Sequence, residues 1–110
     1  YIGWPDQGVP EEYSSFLKLF QYYRKQREVY LDDKRKLEER SPILLHCSAG
    51  IGRTGTFCAL DCILDSVEYQ KKQGIKDPTI NVFAVVNALR DERAGMVQTK
   101  AQYKFIFDFL

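Results

Sequence analysis

Cys47 stands six residues before Arg53 in the run His46-Cys47-Ser48-Ala49-Gly50-Ile51-Gly52-Arg53-Thr54-Gly55. A cysteine is a nucleophile as its thiolate, so the question is what favours the anion. Gly50 and Gly52 permit backbone angles that side chains disfavour. Successive N–H groups can then converge into a nest for an anion. A helix is expected just after the loop, and its N-terminus adds free N–H groups and the positive end of its dipole. In that field the Cys47 thiol is expected to ionise below neutrality. Arg53 offers a planar fork for two phosphate oxygens, and Thr54 has a hydroxyl to donate to the sulfur. One loop thus activates a nucleophile and grips the dianion it attacks. A cysteine so spaced from an arginine is weak alone, and a glycine-rich turn is often only a turn. The weight lies in ten residues that fit one design.

Other polar residues are ambiguous by themselves. Asp6, between Pro5 and Gln7-Gly8, has the setting of a turn former. Gln98 and Gln102 are unremarkable at the entry of a helix. Cys58 and Cys62 lie four apart on one helix face, which suits a metal or redox pair, or two small buried packing residues. One histidine and scattered cysteines make no metal-ligand set, and no cofactor is expected.

These residues need elements to hold them. Residues 4–10, Trp-Pro-Asp-Gln-Gly-Val-Pro, are broken by two prolines and a glycine and read as a loop. Glu11 and Glu12 open a helix whose inward face is Tyr13, Phe16, Leu17, Phe20 and Tyr23. After about Val29 this fades into a charged run, Asp32 to Arg40, that reads as a solvated connector or helix end, with a recruitment surface as the other reading. Pro42-Ile43-Leu44-Leu45-His46 is short and apolar, as in a strand buried on both faces. Thr56 to about Gln73 is expected as a helix with Phe57, Leu60, Ile63, Leu64 and Val67 inward and Gly74 as its C-cap. A further helix is expected from about Ile80 to Arg93. Thr99 and Gln102 have capping-box spacing before a last amphipathic helix through Tyr103, Phe105, Ile106, Phe109 and Leu110. Strand, loop and helix in this order predict an α/β fold.

Composition narrows the field. The chain has 110 residues, 45% hydrophobic and 28% charged, with a net charge of +1. That balance gives no long-range pull on nucleic acid or an anionic membrane, so anion specificity has to be local. No apolar run approaches the length of a membrane span. Three cysteines do not make a secreted disulfide scaffold, and a reducing, cytoplasmic setting is expected. Tyr1-Ile2-Gly3 reads as the end of a strand, as though the chain begins inside a fold.

The run HCSAGIGRTG resembles the signature loop of the protein tyrosine phosphatases. Residues 4–10 resemble the family's mobile loop that carries the general acid, and VQTKAQY at 97–103 resembles its glutamine loop. The preceding residues 89–96 match the family's run into that loop. The resemblance implies that residues 1–110 are the C-terminal part of a catalytic domain more than twice this length, with a central mixed sheet flanked by helices. It implies hydrolysis of phosphotyrosine in proteins, with phosphotyrosine-containing proteins as partners. By resemblance Cys47 attacks phosphorus, and Arg53 with the amides of Ser48, Ala49, Gly50, Ile51 and Gly52 holds the oxygens. Asp6 is the general acid and base, Gln98 positions water and Gln102 supports it. Thr54 assists departure of the thiolate, and His46 orients the loop and tunes the cysteine. Trp4 and Pro5 are the expected hinge and anchor.

None of residues 48–52 is basic. Relatives acting on inositol lipids tend to carry lysines there, so a neutral loop favours one phosphate on an aromatic stem. Two alternatives stand beside the enzyme: a phosphotyrosine-binding module or fragment without turnover, and a dual-specificity phosphatase. The resemblance also leaves open whether the parent is a soluble enzyme or the cytosolic part of a receptor.

Overall fold

A computed structural model describes residues 1–31 and 41–110. The charged run from Asp32 to Arg40 lies outside the described residues. The chain divides into two compact units, Tyr1–Pro5 with Pro10–Leu44, and Asp6–Val9 with Leu45–Leu110.

The first unit is built on helix α1, Tyr13–Leu31. The Glu12 carbonyl accepts its first bond, from the Phe16 N–H at 3.2 Å. Phe16 and Phe20 are fully buried, as the spacing predicted, while Tyr13 is exposed. The Trp4 ring meets Phe16 edge-on, with centroids 5.2 Å apart. The Glu11 N–H bonds the Gly3 carbonyl at 2.9 Å, fixing the N-terminal segment to the start of α1. Burying each of these large side chains is worth roughly 1.5–3 kcal/mol.

The second unit holds three helices: α2 (Arg53–Lys72), α3 (Val82–Glu92) and α4 (Lys100–Phe109). Both α3 and α4 pack on α2. Leu60 and Ile63 of α2, Val86 of α3 and Ile106 of α4 are buried. Helix α2 begins three residues earlier than expected, so that Arg53 is its first residue. It ends as Gly74 predicted. Gly74 adopts φ +83°, its N–H bonds the Lys71 carbonyl, and the Ile75 N–H bonds the Gln70 carbonyl. This double closure satisfies carbonyls that a helix end otherwise leaves open.

Helix α3 is shorter than the expected Ile80–Arg93. Its N-cap is Asn81, whose side chain accepts from the Ala84 N–H at 3.0 Å. Just before it, the Thr79 backbone exchanges two bonds of 2.9 Å with the Gln70 side chain. At α4 the Thr99–Gln102 capping box forms as expected, and the helix starts at Lys100.

One fold expectation is corrected. Among the described residues there is no strand: 42–46 carries no regular secondary structure, and neither do Tyr1 and Ile2. Ile43 and Leu44 are exposed, not buried on both faces. An apolar run signals a preference for burial, whereas a strand also needs a neighbour to complete its ladder. The described chain is therefore helical, and the α/β sheet is not seen in it. No helix among the described residues is long and apolar enough to cross a membrane.

Candidate active site

The loop from Cys47 to Gly52 folds back on itself ahead of α2. The Thr54 hydroxyl donates to the Cys47 sulfur at 3.0 Å, and the Gly50 N–H donates to it at 3.2 Å. Burial pushes the thiol up. The hydroxyl and the amides of Thr54, Gly50 and Ile51 outweigh that and bring its pKa down to about 7 from the ordinary 9.0. Burial opposes the donors, and the donors prevail, in the direction expected.

Gly50 stands at φ +73°, the left-handed region that turns the chain so sharply. Gly52 stands close to two glutamine side chains. A Cβ there would lie 2.9 Å from the Gln98 Oε1 and 3.1 Å from the Gln102 Nε2. Both glutamines of 97–103 thus lie directly against the Cys47 loop. The loop is also tied to that segment by the Ile51 carbonyl, which accepts from Gly55 N–H at 3.1 Å and Val97 N–H at 3.0 Å.

Gln102 is fully buried and serves three backbone groups. Its Oε1 accepts from the Gln98 and Thr99 N–H groups, at 3.0 and 3.2 Å. Its Nε2 donates to the Gly8 carbonyl at 3.1 Å. It therefore joins the 98–99 turn to the 6–9 segment. From that segment the Asp6 Oδ1 lies 3.6 Å from the Arg53 Nη2, and the same oxygen accepts from the Gln7 N–H at 3.0 Å. Cys47, Thr54, Arg53, Asp6, Gln98 and Gln102 all belong to one unit. Ser48 and Ala49 are exposed on the loop's outer side. His46 is exposed too, and no bond from its side chain to the loop is seen.

A family model for the protein-tyrosine phosphatase domain matches residues 1–110. The chain belongs to the protein-tyrosine phosphatase family. It is 40% identical over 98% of its length to the tyrosine-protein phosphatase Lar-like of Caenorhabditis elegans, covering 4% of that protein. It is 36% identical over its whole length to the human tyrosine-protein phosphatase non-receptor type 20, covering 22%. The crystal structure of a Trypanosoma brucei protein tyrosine phosphatase superposes with a TM-score of 0.71 at 38% identity, over 99% of this chain and 33% of that one. The chain thus spans a third or less of the relatives it matches.

Two features of this phosphatase segment lay outside the sequence reading. Arg90 donates from Nε to the Met96 carbonyl at 2.9 Å and from Nη2 to the Val97 carbonyl at 3.0 Å. Arg93 donates from Nη2 to the Ala49 carbonyl at 3.1 Å. Cations near a helix C-terminus ordinarily read as partners of the dipole, and nothing in their spacing marks a loop brace. The cysteine pair of α2 is corrected in part: Cys58 is half-buried, but Cys62 is exposed and not a packing residue. Burial, then Cys62 and Asp61, push Cys58 up to about 11, so it is an inert thiol at neutral pH. Among the described residues no group of three or more His, Cys, Asp or Glu is placed to hold a metal ion.

Proposed function

We propose that this chain is part of a catalytic domain that hydrolyses phosphotyrosine in proteins through a cysteinyl-phosphate. The observation that carries the reading is the Cys47 sulfur, held by the Thr54 hydroxyl and the Gly50 N–H and ionising at about 7. An anion favoured in this way makes the sulfur a stronger nucleophile near neutral pH than an ordinary thiol.

The thiolate attacks phosphorus in line, forming an S–P bond as the P–O bond to the tyrosine breaks. Charge on the three transferring oxygens is met by the Arg53 fork and the loop amides. Asp6 gives its proton to the leaving tyrosyl oxygen. In the second step water attacks phosphorus, the Asp6 carboxylate takes its proton, and the S–P bond breaks to release phosphate. Gln98 orients that water, Gln102 holds the 98–99 backbone, and the Thr54 hydroxyl stabilises the departing thiolate. The neutral side chains of 48–52 suit one phosphate on an aromatic stem, and the low thiol pKa suits a reducing, cytoplasmic compartment.

The test is hydrolysis of a phosphotyrosine peptide by the full-length protein that carries this chain. Cys47→Ser abolishes turnover and keeps peptide binding. Asp6→Ala lowers kcat by about 10²–10⁴-fold and traps the complex. Undiminished turnover in Cys47→Ser sinks the reading. Equal rates on a phosphoserine peptide favour the dual-specificity alternative.

A further inference from the structure

We propose that Arg93 is a positioning residue that fixes the Ala49–Gly50 peptide so that the Gly50 N–H points at the Cys47 sulfur. The peptide unit is planar and trans, so its C=O and N–H point in opposite directions. Arg93 holds the carbonyl end at 3.1 Å, and the N–H end meets the sulfur at 3.2 Å. The guanidinium also lies flat against the open face of Gly50. A Cβ there would sit 3.5 Å from Nη2, 3.7 Å from Cζ and 3.9 Å from Nε. Arg93 is itself held, because it caps α3 with its N–H bonded to the Leu89 carbonyl at 2.9 Å.

A brace is needed at this bond. Gly50 lacks the Cβ that would choose between the two faces of the peptide, so rotating the unit meets little steric resistance. Rotation would exchange an N–H for a carbonyl oxygen beside the sulfur. That oxygen would repel both the thiolate and the phosphate it attacks. By holding the Ala49 oxygen outward, Arg93 keeps the anion nest in its donating form. It touches neither sulfur nor substrate, and it acts through the backbone. Besides Arg93, the charged groups placed beside the loop are Arg53 and its partner Asp6, with Arg90 on the Met96 and Val97 carbonyls; the titratable His46 precedes Cys47.

This inference rests on the phosphatase reading, but its test does not require turnover. In the full-length protein the rate of Cys47 alkylation by iodoacetamide is followed against pH for the native chain, Arg93→Met and Arg93→Lys. Arg93→Met is expected to raise the midpoint by about half a pH unit and to lower kcat on a phosphotyrosine peptide about tenfold, while KM changes less than kcat. Arg93→Lys, which retains a donor, recovers at least half of the midpoint shift. The shift in Arg93→Met persists at about 1 M salt, where the screening length is about 3 Å. A shift that vanishes at high salt would assign the effect to the charge alone and overturn the proposal. So would an unchanged midpoint in Arg93→Met, whether or not its melting temperature falls. A phosphatase that turned over nothing would still show or lack the alkylation shift, which keeps the two failures apart.

Discussion

Gly55 and Val97 meet backbone to backbone: a Cβ on Gly55 would lie 2.5 Å from the Val97 nitrogen and 3.1 Å from the Met96 carbonyl carbon. This contact presses the first turn of α2 against the segment that leads to Gln98. Val97 is held there at φ +61°, an unusual value for a β-branched residue. The Arg90 fork on the Met96 and Val97 carbonyls and the Val97 N–H to Ile51 bond hold that geometry. In an open helix, replacing glycine by alanine gains roughly 1 kcal/mol. Here the added methyl meets backbone, which has no rotamer to move. Gly55→Ala is therefore expected to destabilise by about 1–3 kcal/mol, visible as a lower melting temperature, and to lower turnover by shifting 97–98 away from the loop. A higher melting temperature would show that the close approach is not a constraint.

The helices and the Cys47 loop were legible because their signals are local. Phe16 and Phe20 repeat at helical spacing, Gly74 follows the last turn of α2, and Thr99 and Gln102 sit three apart. The loop was legible for the same reason: Cys47, the two glycines and Arg53 are contiguous. What stayed hidden depends on pairing at a distance. Residues 42–46 carry the apolar content of a strand, but content does not supply a ladder partner. Arg93 and Ala49 are 44 residues apart in sequence, and Gln102 and Gly8 are 94 apart. Nothing in the spacing of either pair announces the bond. The steric need for glycine at 55 is equally invisible, since it is set by which backbone arrives opposite.

Thr54 is the strongest single support of the Cys47 anion, after burial that works against it. Removing its hydroxyl in Thr54→Val keeps the shape and loses the 3.0 Å bond. The thiol midpoint is expected to rise by about one pH unit, cutting alkylation at pH 7 about fivefold. Stability should follow the same group. Folded Cys47 ionises at about 7 and the open chain near 9.0, so between those values the unfolded state binds more protons. The contribution is complete above pH 9 and disappears as the pH falls through about 7. Melting curves across that window should rise with pH in the native chain and flatten in Thr54→Val. A variant with the same slope would mean that the hydroxyl does not hold the anion.

Gln102 separates two jobs that one side chain performs, and two substitutions tell them apart. Gln102→Leu fills the buried space but strips the Gln98 and Thr99 N–H groups and the Gly8 carbonyl of their partner. Each of these part-buried bonds is worth about 0.5–1.5 kcal/mol, so this variant should lose several degrees of melting temperature as well as turnover. Gln102→Glu keeps an oxygen for the two N–H groups and the capping box, but faces the Gly8 carbonyl with an acceptor in place of a donor. Its predicted effect is selective. The 6–9 segment loses its tie, Asp6 is less well placed, and kcat on a phosphotyrosine peptide falls about tenfold or more, while α4 keeps most of its stability. The cap survives because its bonds run within 98–102, whereas the tie from Gln102 to the Gly8 carbonyl runs through the Nε2 donor. Native kcat in Gln102→Glu would break the link from Gln102 through Gly8 to Asp6.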